Sequence, residues 1–132
     1  MSDVKVVRYL LANNAALIEV VPAAKIQAGA TPQGTVLPAI AISHVSTVRR
    51  KTVQRAATEY CTARVQVTVQ AKSYPQKKAI LALVRAALPP TRGTISGVDV
   101  DNVLHDIDGP DFFDGETGIY MGSSDFTVTF HE

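Results

Sequence analysis

The chain has 132 residues, 46% hydrophobic and 19% charged, with a formal net charge of +1. That length allows one hydrophobic core, and the composition is too apolar for a disordered segment. No apolar run nears the ~20 residues of a membrane-spanning helix, and the lone cysteine, Cys61, excludes an internal disulfide framework and a multi-cysteine zinc site. The first apolar stretch carries Lys5 and Arg8 and lacks a cleavage site, so the expected product is a soluble protein made in a cytoplasm.

Ser2 or Asp3 can cap a first helix running to about Ala12, with Val7, Leu10 and Leu11 on one face and Val4 a turn earlier. Asn13-Asn14 breaks it, and Ala15 to Val21 forms a short second helical turn before Pro22. Lys25 to Ala28 reads as a weak strand, Gly29 to Leu37 as a loop, and Pro38 to Val48 as a second strand. Arg49 to Thr58 is a polar, basic connection. Then comes the clearest signal in the chain. From Glu59 to Lys72, small or branched apolar residues alternate with polar ones, the period-2 mark of a half-buried strand with Cys61 on its apolar phase.

Ser73-Tyr74-Pro75 opens a helix that runs to Leu88, with proline in the first turn, where its missing N–H costs nothing. Ile80, Val84 and Leu88, with Leu81 and Ala87, make its apolar stripe. Lys77 falls on that stripe, its stem covering apolar surface while its ammonium reaches water. Thr94-Ile95 and Val98 to Leu104 read as a hairpin around Ser96-Gly97, Asp106 to Gly118 as an acidic loop, and Ile119 to Phe130 as the last strand. Five or six strands with two or three helices and no repeat imply an α+β fold. The expected architecture is a mainly antiparallel (mixed) sheet with the helices packed on one face, in a single domain of residues 1–132.

The charge is strongly segregated. All 13 Lys and Arg lie in residues 1–92 beside three acids, giving +10, while residues 93–132 hold nine acids and no Lys or Arg, giving −9. Either the two halves fold together and mix their charges, or the subunit has a basic and an acidic side suited to head-to-tail packing. The densest clusters are Arg49, Arg50, Lys51 and Arg55 on one hand, and Asp106, Asp108, Asp111 and Asp114 on the other. These eight residues form the candidate assembly interface.

A search for chemistry returns almost nothing. His44, His105 and His131 are far apart, with no second ligand at helical spacing, and read as surface or turn residues. Asp106-Ile107-Asp108-Gly109-Pro110-Asp111 has its glycine fourth rather than sixth, so it is a turn and not a calcium loop. No serine has a nucleophile-elbow context, and Gly93-Thr94-Ile95-Ser96-Gly97 lacks the lysine and spacing of a phosphate loop. The basic cluster has no aromatic within it for base stacking, which favours solvent or a protein contact over specific nucleic acid. No enzyme, cofactor or metal is expected.

One further pattern is in the order of the segments. Pro38-Ala39-Ile40-Ala41-Ile42-Ser43-His44-Val45-Ser46 is followed by Arg64-Val65-Gln66-Val67 and by a Tyr74 helix ending Val84-Arg85-Ala86-Ala87-Leu88. Next come Arg92-Gly93-Thr94-Ile95, an acidic stretch, and Glu116-Thr117-Gly118-Ile119-Tyr120 before the last strand. This succession resembles the siphophage tail completion family, the small tail terminator or head-to-tail joining proteins, over most of the chain. Met121-Gly122 departs from the pattern where a basic residue is usual. The resemblance implies a non-enzymatic virion protein at the head-proximal end of a long, non-contractile tail. It implies a chain that is monomeric when free and forms a ring of six in the virion, ends tube polymerisation, and contacts the major tail tube protein and the head–tail connector. The alternative is a prophage-encoded or bacterial protein-binding module of the same fold.

Overall fold

Alternation in the sequence becomes alternation in burial. In the computed structural model, which describes residues 2–29, 36–50 and 60–131, strand β3 (Tyr60–Ala71) buries every second residue, Cys61, Ala63, Val65, Val67, Val69 and Ala71, without exception. Before it come helix α1 (Ser2–Ala12), helix α2 (Ala15–Val20), a 3-10 turn at Ala23–Lys25, and strands β1 (Ile26–Ala28) and β2 (Ala39–Arg50). After it come helix α3 (Tyr74–Ala87) and strands β4 (Gly93–Ile95), β5 (Val98–Asp108), β6 (Phe112–Asp114) and β7 (Ile119–His131).

Among the described residues the seven strands form one curled sheet in the order β1-β2-β3-β7-β5-β4, with β6 also on β7. Only β1 and β2 are parallel; every other pair is antiparallel. This is the expected mixed α+β architecture. The central pair, β3 and β7, runs in register from Tyr60 opposite His131 to Ala71 opposite Tyr120. Its inward residues, among them Val65, Val67, Phe126 and Val128, meet Val7, Leu11, Leu17, Ile80 and Val84 from the helices in one core. The other sheet face carries Thr62, Arg64, Gln66, Thr68 and Gln70, and among the described residues no helix covers it.

Local chemistry sets the helix starts. The Ser73 hydroxyl accepts from the Gln76 amide at 3.3 Å while the Gln76 side chain accepts from the Lys72 amide at 3.1 Å, and Pro75 sits in the first turn. At α2, the Asn14 side chain accepts from the Leu17 amide at 3.0 Å. Ser96 and Gly97, both at positive φ, make the two-residue turn that joins β4 to β5, with Ile95 opposite Val98.

Three expectations need correction. The second strand continues past Val48, so Arg49 and Arg50 belong to β2, paired with Cys61 and Tyr60, and not to a loop. Asp106 to Gly118 is not one acidic loop: β5 extends to Asp108, and β6 takes over the pairing with β7 at Met121, Tyr120 and Ile119. The long β7 supplies the backbone partners, and nearby cations neutralise the carboxylates that had suggested a loop. Third, the Lys77 side chain is fully buried, and its ammonium meets Asp111 rather than water. Gly122 makes room for it, since a Cβ there would stand 2.9 Å from Leu81 Cδ1 and 3.1 Å from Lys77 Cδ. The rest of the predicted basic connection, with Lys51 and Arg55, and residues 30–35 of the predicted loop lie outside the described residues.

Candidate functional site

The sheet separates the candidate residues. Arg49 and Arg50 stand exposed at the end of β2, one strand from one margin of the sheet, with the Arg50 guanidinium 5.7 Å from the Tyr60 ring centroid. Asp106 and Asp108 lie on β5, three strands away in the sheet order. Asp111 lies between β5 and β6, and Asp114 is on β6 with its side chain accepting from the Glu116 amide at 3.0 Å. Within one chain, the strand that carries Arg49 and Arg50 therefore stands apart from those that carry the four acids.

Most of the acidic cluster finds its cations at home. Asp106 pairs with Arg64 of β3, which also reaches Asp125 at 3.4 Å. Asp108 accepts from the Ser124 hydroxyl at 2.8 Å, pairs with His105 at 3.0 Å and lies 3.7 Å from Arg85 of α3. The Ser124 hydrogen bond is the main reason its carboxyl is held below the usual value. Asp111 pairs with Lys77, accepts from the Tyr74 hydroxyl at 2.9 Å, and lies 3.3 Å from Lys78. Segregation along the sequence thus becomes mixing in space for these three acids.

The Lys77 and Tyr74 contacts hold the Asp111 carboxyl at about 2, below its ordinary 3.8. A depressed carboxylate adds stability that is complete above its unfolded value and lost as pH falls through the folded one. The clasp between α3 and the β5–β6 junction is therefore expected to stay intact to about pH 4 and to loosen between there and pH 2. Near-ultraviolet circular dichroism would follow it through Tyr74 and Tyr120, whose rings are 6.5 Å apart. Asp111→Asn should flatten the change in that window; an unaltered acid transition would place its origin elsewhere.

A second long-range pairing left no mark in the sequence. Asp3, in the first turn of α1, has only 3% exposure and pairs with His44 Nδ1 of β2, 41 residues away. His44 Nε2 is 3.3 Å from the Thr47 hydroxyl. His44 is thus the partner of a buried carboxylate, not a free surface residue. His105 meets Phe126 edge-on and His131 lies tilted against Tyr60, at 5.3 and 5.1 Å between ring centroids. The Asp3–His44 pair fastens α1 to the sheet beside a cleft of about 690 Å³ lined by Val4, Arg8, Gly29 and Ile42 among others. Among the described residues, no three His, Cys, Asp or Glu side chains gather as a metal site would require.

A family model described as "Tail completion protein gp17" matches residues 5–131. Among solved structures, a chain of one described as "Virion of native gene transfer agent (GTA) particle" shares the fold, with a TM-score of 0.71 at 14% identity over 96% of this chain and 92% of that one. No curated protein matches the sequence.

Proposed function

Since the chain belongs to the tail completion protein gp17 family and hence to the tail of a phage virion, we propose that it closes the head-proximal end of the tail tube. It does so as a ring of like subunits, stops tube polymerisation and offers the surface that docks on the head connector. The observation that carries this reading is the family match, which runs over residues 5–131 and so nearly the whole chain. A stack of tube rings exposes a fresh binding surface after every addition. Growth ends only when something binds that surface and presents a different one. A small domain with a helix-covered face and a polar sheet face suits the role, which is stoichiometric binding to the tube protein, the connector and its own copies, without catalysis.

The test is a clean deletion. Loss of the gene should leave filled heads unjoined to tails, together with tails of abnormal length, as counted by electron microscopy. Purified protein added to such tails should restore joining in proportion to the amount added, with no nucleotide or metal. Normal infectious particles from the deletion would sink the reading, and full rescue by a trace amount would indicate an enzyme.

A further inference from the structure

Among the described residues, and besides the three-residue strands β1, β4 and β6, two long stretches of strand have a neighbour on one side only. β1 covers β2 at residues 40–42 and leaves 43–48 open. β4 covers β5 at residues 98–100 and leaves 101–108 open. The two stretches lie at the same level of the sheet. Following the register across it, Ser43 aligns through Gln66 and Asp125 with Ile107, and Ser46 through Arg64 and Thr127 with Leu104. Val48 aligns through Thr62 and Thr129 with Asn102.

Both edges carry exposed apolar side chains, and their charges differ in sign. Val45 and Val48 on one, and Leu104 and Ile107 on the other, are 50%, 63%, 46% and 54% exposed. A long open edge presents unpaired N–H and C=O groups, a template for another strand, and exposed apolar side chains beside it favour burial by such a partner. β2 carries two arginines and no acid, while β5 carries four aspartates and no Lys or Arg. Two β5 edges paired antiparallel would set Asp101 near Asp108, whereas β2 against β5 in the aligned register brings Arg49 and Arg50 to the end of β5 that carries Asp99 and Asp101.

Direction agrees as well. β2, β3, β7 and β5 alternate, so a second copy set alongside in the same orientation meets β5 with its β2 antiparallel. We propose that copies of this chain join head to tail by antiparallel pairing of residues 43–48 of one with residues 102–107 of the next. This rests on the ring reading above and names the contact that builds the ring. β1 and β4 occupy the space beyond either end of the window, which blocks slippage and sets the register. The bulges at His44/Ser46 and at His105/Ile107 bend both edges, and a closed ring of sheets needs such curvature.

The experiment places Ser46→Cys and Leu104→Cys in one chain. Both positions are exposed and aligned, and Cys61 is buried. After mild oxidation, on unterminated tails and in concentrated solution, the doubly substituted protein should run as a ladder of disulfide-linked multimers. Each single variant should stay monomeric, because neither edge meets its own copy. If the wild-type protein restores joining while the doubly substituted one, on the same tails, gives no ladder, edge pairing is overturned and the cap stands. If the wild-type protein fails to restore joining but the ladder forms in solution, the cap is overturned and edge pairing stands. Failure of both overturns both.

Discussion

Val67→Asp is expected to abolish the native state. Val67 has no exposure, lies between Ile42 of β2 and Ser124 of β7, and points into the layer filled by Ile80 and Val84 of α3. Apolar residues surround that position, and a carboxylate left unpaired among them costs several kcal/mol, whether as a buried charge or as a protonated acid without a partner. A domain of this size has about 5–15 kcal/mol in total. Val84→Ala, by contrast, only opens a small cavity and should cost about 1–3 kcal/mol in urea denaturation. Gln66→Asp tests the other phase of the same strand. Its cross-strand neighbour is Asp125, and like charges opposite one another cost ~0.2–1 kcal/mol, but Arg64 stands beside both. Its melting temperature should therefore move little. A soluble Val67→Asp protein with a normal cooperative melt would mean that the inward face of β3 is misassigned.

What the sequence made legible was whatever repeats over short distances. The alternation of Cys61 to Ala71 and the stripe of Ile80, Val84 and Leu88 are each encoded within a dozen residues, and both elements formed with the faces expected. The Ser96-Gly97 turn and the Tyr74-Pro75 start were equally local. Contacts made across the sheet were not legible. Asp3 finds His44, Arg64 finds Asp106, and Lys77 finds Asp111, at separations that no window spans. The acidic run after Leu104 read as a loop because carboxylates disfavour strands. In the fold, Ser124, Arg64 and Arg85 satisfy them, so the backbone can follow β7. The same pairing explains why charge segregation along the chain overstated segregation in space. Of the eight candidate interface residues, the acids are largely engaged in ion pairs within the chain, whereas Arg49 and Arg50, at the exposed end of β2, contact the Cys61 sulfur and the Tyr60 ring.

That asymmetry leads to the second large effect: reversing Arg49, Arg50, Lys51 and Arg55 to Glu should abolish tail closure while leaving the fold intact. The cluster is proposed to meet a protein partner, either the acidic Asp106–Glu116 stretch of a neighbouring copy or the tube. Arg49 gives up a 3.5 Å contact with the Cys61 sulfur and Arg50 one with the Tyr60 ring, the latter worth ~0.5–1 kcal/mol at an exposed site, so the melting temperature should fall only modestly. A single exposed ion pair is worth ~0–1 kcal/mol. Four reversed charges at every contact of a ring turn repeated attraction into repeated repulsion, and the loss should be close to complete. Salt should mimic it in the wild-type protein, since at ~1 M the screening length falls to ~3 Å. The acidic counterpart is expected to behave differently. Reversing Asp106, Asp108 and Asp111 removes partners of Arg64, Arg85 and Lys77 in the same chain, leaving the Lys77 ammonium buried without its carboxylate. Those variants should lose stability before they lose assembly. The two sets are compared by thermal melting and by head–tail joining on unterminated tails. If the cation-reversed protein joins heads to tails at the wild-type stoichiometry, the basic cluster is solvated surface and the subunit contact lies elsewhere.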